Sequence, residues 1–310
     1  MKNSTTDASN YPADLMKAYT SKGNVFAIPE QFDTICLVYN KDMFDAAGMK
    51  YPDASWDWNT LRDAAIKLTK STATGTQYGF LSAYGNQSGY YNFMVANGGY
   101  IISDDQKKSG FDDPKSIQAL QFMVDLIVKD HCAPTGQEMV EQNDYLDLFT
   151  SRKVAMATIG SWSVPIVHEA LGDSADIAPL PKSPNTGERK SIIHGLSWAG
   201  YAKTKNPGAT WKLIQFLTDK EFNESLAQTA ITIPAYKGMA ADWVKAIPSY
   251  NLQCFIDALD YSWPYPVSSN TSEWQAIESR EIKNAFLGTT TVADAMHSVA
   301  DQMNKLLAQN

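Results

Sequence analysis

Residues 34–39 read Thr-Ile-Cys-Leu-Val-Tyr, six consecutive positions without a charge and rich in β-branched and aromatic side chains. Side chains of a strand point alternately to opposite faces, so a run with no polar alternate is stable only as a strand covered on both sides. Residues 154–159, Val-Ala-Met-Ala-Thr-Ile, repeat the pattern, and Gly160-Ser161-Trp162 ends it. Helical periodicity lies between and after these runs. One helix begins near Thr60, with Leu61, Ala64, Ala65 and Leu68 on one face. Another begins at Asp113-Pro114, an acidic cap followed by proline at the first helical position. It places Ile117, Leu120, Val124 and Ile127 at core spacing and carries Lys129 and His131 at its C-terminal end, where cations suit the helix dipole. Strands alternating with helices predict an α/β protein with mostly parallel sheets, whose ligands bind in loops at the strand ends.

The remaining segments fill in this frame. Residues 12–19 predict a short helix, residues 25–28 a short strand stopped by Pro29, and residues 52–58 a loop. Residues 179–190, rich in Pro, Lys and Gly, predict an exposed loop or hairpin. Ile192-Ile193 and residues 199–202 read as short strands around a turn at His194-Gly195. Pro207 starts a helix containing Trp211, Ile214, Phe216 and Leu217, and residues 261–270 are irregular. Two helices, residues 271–286 and 292–307, close the sequence; in the last, Val292, Met296, Val299, Met303 and Leu306 are read as a core face rather than a partner-binding stripe.

A length of 310 residues favours two domains, and 44% hydrophobic against 19% charged residues supports packed cores. The net charge of -8 disfavours a nucleic-acid or anionic-membrane surface. No apolar stretch approaches the roughly 20 residues that a membrane-spanning helix needs. Cys36, Cys132 and Cys254 are too few and too scattered for a disulfide framework or a zinc site, and are expected as small buried hydrophobes.

Catalytic chemistry finds little support. His131, His168, His194 and His297 form no HExxH pattern, and no GxSxG elbow, P-loop or GxGxxG occurs. Asn97-Gly98-Gly99 is a turn signal. The carboxylate pairs Asp144/Asp147 and Asp257/Asp260 are expected on solvated helix faces. No catalytic residue, metal ligand or cofactor is therefore assigned. What stands out is aromatic residues beside glycine, proline, amides and acids: Phe32-Asp33, Tyr90-Tyr91, Ser161-Trp162, Ser197-Trp198, Trp263-Pro264-Tyr265 and Trp274. Any one of these rings is more often core than site. As a set at strand-to-helix breaks, they suit a carbohydrate, whose C–H faces lie on flat rings and whose hydroxyls meet polar groups at the rim.

The segment AIPEQFDTICLVYNKDMF at residues 27–44, followed by Ala47-Gly48, resembles the signature of extracellular solute-binding proteins of sugar ABC importers, the maltose-binding-protein-like family. Further blocks match in the same order: Trp56-Asp57-Trp58, Asn97-Gly98-Gly99, then LFTSRKVAM at residues 148–156 leading to Gly160-Ser161-Trp162. His194-Gly195 through Ala202-Lys203 and Asn206-Pro207, Pro234-Ala235 and Trp274 complete the series, which covers nearly the whole chain.

The resemblance implies a two-lobe periplasmic-binding-protein-like fold with hinge strands. A carbohydrate, expected to be an oligosaccharide, would be held between the lobes and delivered unaltered to the permease. Closure would be a hinge motion. Residues 1–35 and 195–263 would form the N-lobe, and residues 36–194 and 264–310 the C-lobe, with crossings near residues 32–37, 194–198 and 263–266. Family members normally begin with a signal or lipoprotein peptide and several strand–helix units before the point matching Met1. The N-lobe is therefore expected to be incomplete, the full-length form monomeric and the shorter form prone to self-association. The implied location is extracytoplasmic, periplasmic or at the cell surface, with membrane attachment only through a lipid anchor. Asp33 matches an acid that binds sugar hydroxyls at the first hinge, and Trp162 an aromatic that stacks on the ring. Tyr91 and Trp274 match cleft aromatics, His194 stands where glycine is usual, and Gly195 keeps a close backbone approach. Phe32, Trp198, Trp263 and Tyr265 complete the expected site. A carbohydrate-active enzyme, or the same fold with a non-sugar solute, are the alternatives; only four arginines occur (Arg62, Arg152, Arg189, Arg280), which disfavours a phosphorylated ligand.

Overall fold

A computed structural model describes residues 7–21, 23–73, 75–142 and 146–309. Its strands, in chain order, are β1 (Thr20–Ser21), β2 (Asn24–Val25), β3 (Ile28–Asp33), β4 (Ile35–Asn40), β5 (Lys70–Thr72) and β6 (Gly75–Leu81). Then follow β7 (Val154–Gly160), β8 (Ala175–Ala178), β9 (Ser191–Trp198), β10 (Ile233–Pro234) and β11 (Ser262–Pro264). β1 and β2 form a small antiparallel ribbon. The others build two sheets, one ordered β10-β3-β9-β11 and one ordered β5-β6-β7-β4-β8.

The uncharged run becomes β4, buried along its whole length, and its neighbour β7 is equally buried. Helices cover the larger sheet. Trp58–Leu68 buries Leu61, Ala64, Ala65 and Leu68 and is capped by the Asp57 carboxylate, which accepts the Thr60 N–H at 2.8 Å. Pro114–Val128 begins at its Asp113 cap, and the closing helices Thr271–Phe286 and Val292–Leu307 pack against each other. Val292, Met296, Val299 and Met303 are core, as the spacing predicts. All three cysteines are buried thiols.

Three expectations are corrected. The sheets are mainly antiparallel: among the described pairings only β6/β7 and β9/β11 run parallel. A parallel neighbour needs a long crossover, and β7 has one in the helices that follow β6. β4, by contrast, is fed straight from β3 across the single residue Thr34 and runs antiparallel to both β7 and β8. Second, Pro29 does not stop a strand. It lies inside β3, where the register against β9 shifts between Pro29 and Gln31, and an irregularity of this kind accommodates proline. Third, His194-Gly195 is no turn. β9 runs through both residues, and 199–202 is not a strand. Gly195 is needed because a Cβ there would lie 2.7 Å from the Gln31 carbonyl oxygen, so this glycine marks a close strand contact.

The loop at 179–190 is stitched down rather than free. The Lys182 N–H donates to the Trp56 carbonyl at 2.9 Å, and buried Ser183 donates to Asn97 Oδ1 at 2.8 Å. The helix Pro207–Leu217 buries only Ile214 and leaves Phe216 exposed. Asp257 and Asp260 are exposed; Asp147 lies on a short helix, and Asp144 lies outside the described residues.

Candidate functional site

The two sheets meet where β3 becomes β4, and the packing there is polar but closely satisfied. Thr34 donates its hydroxyl to the Phe255 carbonyl at 2.7 Å, and its own carbonyl accepts the Ser161 N–H at 3.2 Å. The Ile35 N–H donates to Ser191 Oγ at 2.7 Å. The passage is thereby clamped to the start of β9 and the end of β7. Two-residue periodicity sends Gln31 and Asp33 to one face of β3, while Phe32 points oppositely into the core.

Asp33 is opposite His194 in the β3/β9 ladder and only 6% exposed. Its carboxylate accepts a hydrogen bond from the Gln87 side-chain amide. Burial pushes its pKa up to about 6, against the opposing pull of the Gln87 amide and the His194 backbone N–H. Gln87 belongs to Asn86–Tyr90, a single wide helical turn between β6 and the next helix, with Gly89 at φ -122, ψ -115. A Cβ at Gly89 would lie 2.8 Å from the Ala83 carbonyl oxygen, so a side chain there would displace the turn. Asn92 braces it: its amide donates to the Gln87 and Gly89 carbonyls at 2.7 and 2.9 Å, and its oxygen accepts the Ile192 N–H at 2.8 Å. A group on the larger sheet's side is thus delivered to an acid on the smaller sheet.

Tyr265 forms the adjacent wall. Its hydroxyl oxygen accepts from the Asn86 amide at 3.0 Å and the Gln275 amide at 2.7 Å. Its ring centroid lies 4.8 Å from that of His194 and 5.9 Å from that of Tyr91. Burial lowers the His194 pKa and so favours the neutral imidazole. Behind this wall, fully buried Glu278 accepts hydrogen bonds from the Tyr91 hydroxyl at 2.8 Å and the Tyr90 hydroxyl at 2.5 Å. Burial pushes its pKa up to about 7 despite the two phenol donors.

Trp162 follows the Ser161 N–H bonded to Thr34, which sets it at the same junction. Its half-buried indole folds over Gly160, where a Cβ would lie 2.1 Å from the ring. Two buried polar atoms near this junction, Gln31 Oε1 and Ser161 Oγ, lack hydrogen-bond partners among the described residues, an arrangement common where a ligand or water completes the pairing.

The expected site residues therefore divide. Asp33, His194, Gly195 and Tyr265 come together, with Trp162 at the margin. Tyr91 and Trp274 are fully buried; Trp274 donates Nε1–H to Ser268 Oγ at 2.9 Å. Trp198 lines a separate cavity of about 270 Å³ with Phe26 and Trp211, and its Nε1–H has no partner among the described residues. Trp263, 37% exposed, lines another cavity with Tyr265. Sequence reading missed Asn86, Gln87, Asn92, Gln275 and Glu278. The only available signal for the first two was an amide-rich run, Gly85-Asn86-Gln87-Ser88-Gly89, bounded by glycines.

A family model described as bacterial extracellular solute-binding protein matches residues 3–224. A binding protein of Brucella abortus is 27% identical over 271 residues, 86% of this chain and 64% of that protein. The galactooligosaccharide-binding protein of Bacillus subtilis is 26% identical over 226 residues, 70% of this chain and 51% of that protein. The chain thus spans less than two thirds of these curated relatives' length. Among solved structures, an ABC substrate-binding protein of Listeria monocytogenes in complex with cycloalternan aligns with TM-score 0.89 at 22% identity, covering 99% of this chain and 78% of that one. Maltose-bound MalE3 of T. maritima aligns with TM-score 0.81 at 24% identity, covering 97% and 77%. These matches establish the two-lobe α/β fold.

Proposed function

The chain belongs to the family of bacterial extracellular solute-binding proteins, and from that premise we propose that it binds an oligosaccharide between its two sheets and passes it unaltered to the permease of an ABC importer. The observation that carries this reading is the junction of Asp33 with Gln87 from the opposite sheet, walled by the Tyr265 and His194 rings. A sugar needs acceptors and donors for its hydroxyls and flat apolar surface for its C–H faces. Asp33 accepts hydrogen bonds from hydroxyls, Asn86 and Gln87 both donate and accept, and Tyr265 with Trp162 offers ring faces. The Asp33–Gln87 bond stands where a ligand hydroxyl would enter: the incoming hydroxyl donates to the carboxylate, and the displaced amide is free to bond the neighbouring sugar oxygen.

A ligand held by both sheets favours their approach, and closure by a hinge at residues 32–37, 194–198 and 263–266 is the form for a permease to recognise. By the same reading residues 1–35 and 195–263 form one lobe and residues 36–194 and 264–310 the other, and the protein works outside the cytoplasm without cleaving its ligand. The sugar class follows relatives whose names specify galactooligosaccharide and maltodextrin. Calorimetry with malto- and galacto-oligosaccharides, with chromatography of the recovered sugar, tests this. Saturable binding that Asp33→Asn weakens, with sugar recovered intact, is the expected result. Absence of binding to every sugar, or shortened products that disappear with a single carboxylate substitution, overturns it.

A further inference from the structure

Glu278 is the most deeply buried carboxylate among the described residues, and it lies one layer behind the candidate cleft. We propose that Glu278 is a positioning residue for the binding site. By holding the Tyr90 and Tyr91 phenols it fixes the turn that carries Asn86 and Gln87 and the ring that backs Tyr265, so that sugar affinity depends on its ionised state. The inference rests on the carbohydrate reading above and adds a control to that site.

Two routes run from this one carboxylate to the cleft. Oε1 accepts the Tyr90 hydroxyl at 2.5 Å, and Tyr90 ends the wide turn Asn86–Tyr90. That turn sets the Gln87 amide on the Asp33 carboxylate and the Asn86 amide on the Tyr265 hydroxyl. Gly89 within it departs from helical geometry, so regular helical bonding does not secure the turn and an outside anchor matters. Oε2 accepts the Tyr91 hydroxyl at 2.8 Å, and the Tyr91 ring lies edge-on to Tyr90 with centroids 5.3 Å apart and 5.9 Å from Tyr265. One helical turn before Glu278, Gln275 donates to the Tyr265 hydroxyl, since residues three apart share a helix face. The helix Thr271–Phe286 thus braces both the turn and the wall. It is itself fixed by the Trp274 bond to Ser268 and by the Asn270 amide, which donates to the Leu306 carbonyl at 2.7 Å.

Both phenols donate, so each carboxylate oxygen must accept, and the ionised form offers both. Protonation turns one oxygen into a donor with no acceptor of its own among the described residues, and weakens its hold on its phenol. The surrounding groups do not compensate. Tyr90, Tyr91 and Tyr265 are the titratable groups that face Glu278, and burial raises all three above the ordinary phenol value, so they remain protonated donors. The faces that Pro114–Val128 and Val292–Leu307 bury are apolar apart from Ser116, and no cation pairs with the carboxylate. Burial raises the Glu278 pKa to about 7, which places the change from two acceptors to one near neutral pH.

The test is calorimetry with maltotriose and galactotriose from about pH 5 to about pH 8, on the wild type, Glu278→Gln, Tyr90→Phe and Asp33→Asn. Wild-type affinity should fall about threefold to tenfold as pH drops through about 7, the worth of one net hydrogen bond. A separate step follows near 6, from Asp33. Glu278→Gln keeps the shape but offers one acceptor oxygen; it should bind at the weaker level throughout and lose only the step near 7. Asp33→Asn should lose only the step near 6. Tyr90→Phe, with the acceptor intact and the donor gone, should weaken binding as Glu278→Gln does. In the sugar-free protein, amide hydrogen exchange across residues 86–91, corrected for its intrinsic pH dependence, should be slower above pH 7 than below it in the wild type and the same at both in Glu278→Gln. A step near 7 that persists in Glu278→Gln, or a loss of affinity with an unchanged pH profile, overturns the positioning role. The inner site still stands in that case if Asp33→Asn weakens binding. A wild type that binds neither sugar overturns the carbohydrate reading and this inference with it.

Discussion

At the scale of single residues, the site depends on side chains whose positions are forced by neighbours. The Trp162 indole lies over Gly160 because only glycine leaves room for it. Gly160→Ala should displace the ring, changing tryptophan fluorescence and weakening sugar binding to nearly the level of Trp162→Ala. For Trp162→Ala itself the expected loss is about 1–3 kcal/mol, read by calorimetry; unchanged affinity would remove Trp162 from the site. Glu278 offers a separate check through pH. Burial raises its folded pKa to about 7, above the ordinary glutamate value of 4.5. The folded state therefore holds the proton more tightly than the unfolded chain. The ionisation penalty of holding Glu278 in the fold is absent below about pH 4.5, grows as pH rises and is complete above about 7. The melting temperature of the wild type relative to Glu278→Gln should fall across that interval. A difference independent of pH would show that Glu278 titrates normally.

Among the elements, the contact of β3 with β9 is the most demanding. Gly195→Ala would press a methyl group against the Gln31 carbonyl and should destabilise the protein by about 1–3 kcal/mol, lowering its melting temperature and misplacing Asp33 and His194 together. A melting temperature equal to that of the wild type would mean that the strands separate without cost. This contact also explains an element misread from sequence. Glycine between short apolar runs reads as a turn, and nothing within residues 191–198 reports that another strand's carbonyl lies against it. Pro29 misleads in the same way, because a register shift that accommodates proline depends on the partner strand. By contrast, Asp113 as a cap, the face of Trp58–Leu68 and the two closing helices are legible from sequence, since caps and helical periodicity involve residues within a few positions of one another.

For the whole molecule, binding and shape should be coupled. Small-angle scattering on adding a bound sugar is expected to show a smaller radius of gyration, as a ligand gripped from both sheets draws them together; an unchanged profile would argue for a rigid site. Affinity should fall as pH drops through about 6, because protonated Asp33 can accept fewer hydroxyl bonds, and Asp33→Asn should flatten this dependence. The uncharged strands, amphipathic helices and ordered family blocks were readable along the chain, because burial on both faces, helix periodicity and capping are properties of short segments. Strand direction, the burial of Tyr91 and Trp274, and the convergence of Gln87, Asn86 and Gln275 on Asp33 and Tyr265 were not. Those depend on which distant segments pack together: Gln87 meets an acid 54 positions away, and Gln275 and Tyr265 reach the site from the far end of the chain. Local pattern carries no record of such distances, so the elements could be foreseen while the pairing of amide with carboxylate had to come from the packed fold.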